Sequence, residues 1–122
     1  MIVLKRVYEE AASADGKRVL VDRLWPRGLA SQDADFDWEK AVAPSDALRM
    51  WYGHTPERFA EFTRRYREEL TSPDRAEAVE RLARLAESGT LTLLTATKDP
   101  EHSQAEVLKE VLQERASQSP AT

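Results

Sequence analysis

The chain has 122 residues, a net charge of −4 and a pI near 5.3, with 41% apolar residues and no cysteine. That length suits one core. The acidic balance opposes non-specific nucleic-acid binding, and the missing thiols exclude a disulfide framework, a thiol nucleophile and thiolate metal sites.

Residues 2–7, IVLKRV, are β-branched and apolar and predict a strand. Lys5 and Arg6 follow the apolar stretch, the reverse of a secretory signal, so a cytoplasmic location is expected. No apolar run approaches the roughly 20 residues of a membrane span, and no membrane partner is expected. Asp15-Gly16 signals a turn, and RVLVDR at 18–23 predicts a second strand. Its continuous Val19-Leu20-Val21 run suggests burial on both faces. Direct pairing of these two strands is left open, because the connection is long for a hairpin and short for a helical crossover.

Residues 24–44 read as irregular, with a short turn near Trp38. Ser45 can cap a short helix from Asp46 to Tyr52, stopped by Gly53. Thr55-Pro56 opens the next helix, with Thr55 as N-cap. Phe59, Phe62, Tyr66 and Leu70 form its apolar stripe, and Arg64, Glu68 and Glu69 are expected on the solvated face, with Glu61/Arg65, Arg64/Glu68 and Arg65/Glu69 as pairs. Ser72-Pro73 repeats the opening, and Ala76, Val79, Leu82, Ala83, Leu85 and Ala86 give the next stripe before Gly89. LTLLTA at 91–96 predicts a third strand. Ser103 with Glu106 makes a capping box before the last helix, whose core face is Leu108, Val111 and Leu112.

The resulting expectation is an α/β fold, a small, mainly parallel sheet of about three strands packed by helices. It places a single domain over 1–116 and a disordered tail over 117–122. The strands at 18–23 and 91–96 are expected to be near neighbours and parallel, because both end in similar charged exits.

Ligands of open α/β sheets bind beyond the carboxyl ends of the strands. If the strands are parallel, Asp22, Arg23, Trp25 and Arg27 meet Lys98, Asp99 and His102 there, with Arg6 and Tyr8 close by. Residues 1–30 hold six Lys or Arg against four acids, a local excess of +2 that leaves −6 elsewhere. Arginine forks suit bidentate carboxylate or phosphate. Arg23, Trp25, Arg27 and Lys98 are therefore candidate ligand-binding residues, with Asp22 orienting an arginine. Asp22, Asp99 and His102 are candidate catalytic acids and bases, with His54 as a further choice. Each has a plainer alternative: Asp22 and Arg23 as an edge ion pair, Trp25 as core or lid, Lys98 and Asp99 as a solvated loop, His102 as structural. Arg23 and Arg27 could equally be consumed by Asp35, Asp37 or Glu39.

RVLVDRLWPRGL (18–29), APSDALRMWYGHTPERFAEFTRRYREEL (43–70) and LTLLTATKDPEHSQAEVL (91–108) resemble the YeaO-like branch of the domain of unknown function 488 family. The resemblance spans nearly the whole chain, and DRLWPRG and APS-x-x-LR-x-W are its specific motifs. It implies a small α/β protein with no established activity. Asp22, Arg23, Trp25, Pro26, Arg27 and Gly28 match the first signature, Pro44, Ser45, Leu48, Arg49 and Trp51 the second, and Lys98 and Asp99 the third. The resemblance adds Arg49 and Trp51 to the ligand-binding candidates; by spacing alone Trp51 is core. The chain departs from the pattern at Thr95-Ala96-Thr97, where an aromatic-containing stretch such as YAAKD is common, and at Ser103, where Asn usually follows His. A distant branch carries Cys-His-Arg after the third strand; that Cys is missing here, so its thiol chemistry is not carried over.

Two functions follow as expectations. One is a pocket for a small anionic molecule, with catalysis undecided. The other is a non-enzymatic regulatory or nucleic-acid-associated module, with Arg23, Arg27, Lys98 and Trp25 as a basic, aromatic surface. No metal-ligand spacing, phosphate loop or dinucleotide fingerprint is present. The cofactor and the oligomeric state are left unassigned.

Overall fold

Leucine and β-branched runs form strands where a pleated, buried surface can use them. In the computed structural model, which describes residues 1–118, these are β1 (Ile2–Arg6), β2 (Lys17–Leu20) and β4 (Leu91–Thr95), joined by a two-residue β3 (Asp37–Trp38). Among the described residues the four strands lie in the order β1-β4-β2-β3, and every pairing is parallel. β4 is central: Leu93 faces Leu4 on one side and Val19 on the other, and all five of its residues are buried. The expected parallel neighbours are thus adjacent, and the open question about residues 8–17 is answered. β1 and β2 do not pair, because β4 lies between them.

The sheet has one strand more than expected. β3 is too short and too polar to show alternation in the sequence, and it pairs only as Val19↔Asp37 and Leu20↔Trp38. β2 also ends sooner than expected. Val21 still donates to the Leu94 carbonyl at 3.1 Å, but the Leu20 carbonyl accepts from Glu39, and Asp22 and Arg23 leave the sheet.

The helices are α1 (Asp46–Tyr52), α2 (Phe59–Glu69), α3 (Pro73–Ser88) and α4 (Gln104–Gln118). Ser45 caps α1 as expected, its Oγ accepting from Leu48 N–H at 3.2 Å, and Gly53 closes it on the Arg49 carbonyl. The opening of α2 differs. Pro56–Arg58 forms a 3-10 turn, Thr55 makes no side-chain cap, and the α-helix starts at Phe59. Ser72 likewise turns its Oγ back to the Glu69 carbonyl instead of capping α3. At α4, the Ser103 Oγ accepts from Ala105 N–H at 3.2 Å, but Ser103 N–H donates to Pro100 O. The 3-10 turn Pro100–His102 takes the donor that Glu106 would have met. α4 reaches Gln118, and the rest of the expected tail lies outside the described residues.

The principal core joins Val19, Leu91 and Leu93 to Phe62, Tyr66, Leu82, Leu108 and Leu112. Phe62 and Tyr66 are buried and Phe59 half-buried, as the stripe predicts. The Tyr66 hydroxyl donates to the Val42 carbonyl. A smaller cluster on the other sheet face joins Val7, Leu20 and Leu94 to Trp25, Leu29 and Phe36 from loops. Among the described residues no helix is long and apolar enough to cross a membrane.

On the outer face of α2, Glu61 meets Arg64 at 2.7 Å and Arg65 at 2.8 Å, and Arg64 reaches Glu68 at 3.6 Å. The expected Arg65/Glu69 pair does not form. Glu69 is half-buried and accepts from Ser45 N–H at 2.8 Å and Ser45 Oγ at 2.6 Å, tying α2 to the start of α1. Hydrogen bonds from Arg64 and then Arg65 hold the Glu61 carboxyl down from 4.5 to about 2. A depressed folded-state pKa adds stability above the unfolded value and loses it as the pH falls toward the folded one. Glu61→Gln is therefore expected to flatten the pH dependence of the urea midpoint between about 4.5 and 2. Equal slopes in the two proteins would remove this role.

Candidate functional site

The parallel sheet brings the ends of β2 and β4 to one edge, where a cavity of about 390 Å³ opens. Asp22 follows β2 and forms part of the lining. Its carboxylate accepts from Ala96 N–H at 2.8 Å and from the Gln104 side-chain amide at 2.5 Å. One residue thus joins the end of β2, the end of β4 and the start of α4. Burial pushes its carboxyl above the usual carboxylate range, opposed by Ala96 N–H, the Thr95 hydroxyl and Gln104. On the neighbouring strand, Arg6 donates to the carbonyls of Thr97 at 3.0 Å and Ala96 at 3.4 Å, fixing the turn beside it.

The LWPRG segment supplies one wall. Trp25 donates its indole N–H to Leu29 O at 2.6 Å and packs against Phe36 and Trp38 at 5.5 and 5.3 Å. It is a lining residue anchored in the smaller core, which unites the core and pocket alternatives. Leu24, Pro26 and Pro44 add apolar lining, and Tyr8 stands beside them with its hydroxyl on the Arg27 carbonyl at 2.9 Å.

Arg23, Arg27, Arg49 and His54 also line the cavity. Asp22 does not orient Arg23 as expected. Asp46, in the first turn of α1, holds Arg23 Nε at 2.6 Å and lies 3.6 Å from Arg49. Arg27 is exposed, and among the described residues its guanidinium has no ion pair or hydrogen bond. The acids that could have consumed it are occupied elsewhere: Asp35 beside Arg18, Asp37 with Lys17, Glu39 with Arg81.

Four of the candidates are not among the lining residues. Lys98 and Asp99 are exposed. His102 Nδ1 meets Asp99 Oδ2 at 2.8 Å, its ring lies edge-on to Phe59, and its carbonyl accepts from the Tyr52 hydroxyl. Trp51 lines a separate hollow of about 460 Å³ between α1 and α2, under the guanidinium groups of Arg65 at 4.4 Å and Arg58 at 5.2 Å.

The family model described as the inactive DUF488-N3 subclade matches residues 1–121. The chain belongs to the DUF488 family. Its curated relatives include uncharacterized proteins of Mycobacterium bovis and Mycobacterium tuberculosis, each 46% identical over 111 residues, 90% of this chain and 92% of theirs. The uncharacterized protein YeaO of Escherichia coli is 39% identical over 112 residues, 91% of this chain and 96% of its own. The YeaO-like resemblance therefore holds. No solved structure matches the chain.

In this DUF488 chain the cavity has a polar floor, apolar walls and a cationic rim. Sequence reasoning missed Asp46 and Gln104, and singled out Thr95 at the strand exit only as a departure from the family pattern. Asp46 carried a visible cue, standing three residues before Arg49 on one helix face. Among the described residues no three histidine or acidic side chains gather as a metal site.

Proposed function

We propose that the cavity at the strand ends binds a small anionic molecule bearing a phosphate or carboxylate, and that the protein acts by binding. The supporting observation is the charge around the cavity. Three arginines line it, Arg23 and Arg49 share Asp46, and Arg27 has no partner among the described residues. An unpaired guanidinium group beside a concave, partly apolar wall is suited to planar oxyanions. Binding is favoured over catalysis because the Asp99–His102 pair does not line the cavity and the matching family model is described as inactive. Trp25 is packed against Phe36 and Trp38, which disfavours it as a stacking platform for nucleic acid.

Titration calorimetry with inorganic phosphate, adenosine monophosphate and succinate tests this reading. At least one is expected to bind the wild type. Arg27→Lys keeps the charge but loses the planar fork, and should weaken binding about tenfold with an unchanged melting temperature. No binding by any probe, or an Arg27 variant that alters only the melting temperature, would overturn it.

A further inference from the structure

We infer that the cavity selects anions that also carry an amine, with Asp22 receiving that group while Arg27 and Arg49 hold the anionic end. This deepens the binding reading above and rests on it. Asp22 ties β2, β4 and α4 together, but its carboxylate also stands in the cavity lining, where it repels a bare anion. Yet Asp22 lines the same cavity as the arginines, and none of them pairs with it. Its hydrogen bonds come from neutral donors, Ala96 N–H and the Gln104 amide, while the Thr95 hydroxyl and the His54 ring of the same lining also favour its charged form.

An ionised carboxylate offers about four acceptor positions. The hydrogen bonds from Ala96 and Gln104 leave acceptor capacity for the Thr95 hydroxyl and for an occupant of the cavity. They hold the carboxylate in place without forming an ion pair with it, so an ammonium group would supply a direct counter-charge. Leu24, Pro26 and Pro44 give the remaining lining an apolar character that suits a short hydrocarbon or ring between the two charged ends. The cavity is of a size for a small metabolite and leaves no room for a polymer inside it.

Two matched pairs of probes test the inference on the intact protein by calorimetry: O-phosphoethanolamine against ethyl phosphate, and 4-aminobutyrate against butyrate. In at least one pair the amine-bearing member should bind about tenfold tighter or better, the discrimination expected where a polar group is otherwise left without its partner. Asp22→Asn should erase that preference and preserve binding of the amine-free member. The Ala96 amide resonance gives a second readout if the variant does not fold. It should shift further with the amine-bearing probe than with its partner. Equal binding of both members in both pairs, a preference that survives Asp22→Asn, or an unmoved Ala96 amide overturns the inference and leaves the anion site standing. Failure of all four probes overturns the inference, and failure of phosphate, adenosine monophosphate and succinate as well overturns both.

Discussion

Phe62→Ala is expected to destabilise the protein by about 3–5 kcal/mol, the range for truncating a fully buried aromatic side chain. Phe62 is 1% exposed and stacks on Tyr52 at 4.5 Å and Tyr66 at 5.7 Å. Its ring fills the junction of α1 and α2. Tyr66 is anchored by its hydroxyl at Val42, and Tyr52 by its hydroxyl at His102, so neither can easily swing into the space left behind. Domains of this size are stable by about 5–15 kcal/mol, so this one change removes a large share. Phe59→Ala, at a half-buried position, should cost less. Urea midpoints at constant slope measure both. A loss below about 1 kcal/mol for Phe62→Ala would show that the aromatic stack is not a stabilising centre.

Gly16→Ala should also be costly, for a backbone reason. Gly16 has φ 62° and ψ −130°, and a Cβ there would stand 2.3 Å from the Thr90 carbonyl oxygen. That oxygen accepts from Lys17 N–H at 2.9 Å, where the chain enters β2 beside β4. No side-chain rotation relieves a collision with the main chain. The strained conformation costs about 1–3 kcal/mol and overpacking a similar amount again. Gly28 provides the control, with φ 78° and nothing within 4 Å of where a methyl would stand. Gly28→Ala should therefore show the backbone cost alone. Equal losses for the two variants, measured in the same urea titrations, would contradict the close approach at Thr90.

Leucine-rich runs made β2 and β4 legible, and their matching charged exits gave the direction of β2 relative to β4. The central place of β4 was not legible, since nothing local in Leu91–Thr95 states which strands will flank it. β3 escaped because Asp37 and Trp38 form a strand only by pairing with Val19 and Leu20. At the cavity, Pro26 and Gly28 announced a turn and Arg23, Trp25 and Arg27 were found together. The partner of Arg23 was hidden because Asp46 approaches through tertiary packing, from a helix that the local sequence does not connect to β2. Asp99 and His102 were recognisable as neighbours, but the 3-10 turn before α4 decides what joins the cavity. It sends Gln104 to Asp22 and leaves His102 against Phe59.

The position of β4 imposes an order on the birth of the molecule. β1 and β2 are made first, but each finds its long partner only in a strand that begins at Leu91. Until that segment is synthesised, the sheet contact open to the nascent chain is the two-residue pairing of β2 with β3. The first three helices are complete before β4 is made. Folding must therefore wait until β4 has been made and close its longest loops last, placing it among the slower topologies. During that interval β1 and β2 lack their main sheet partner, and segments in that condition benefit from shielding on the ribosome.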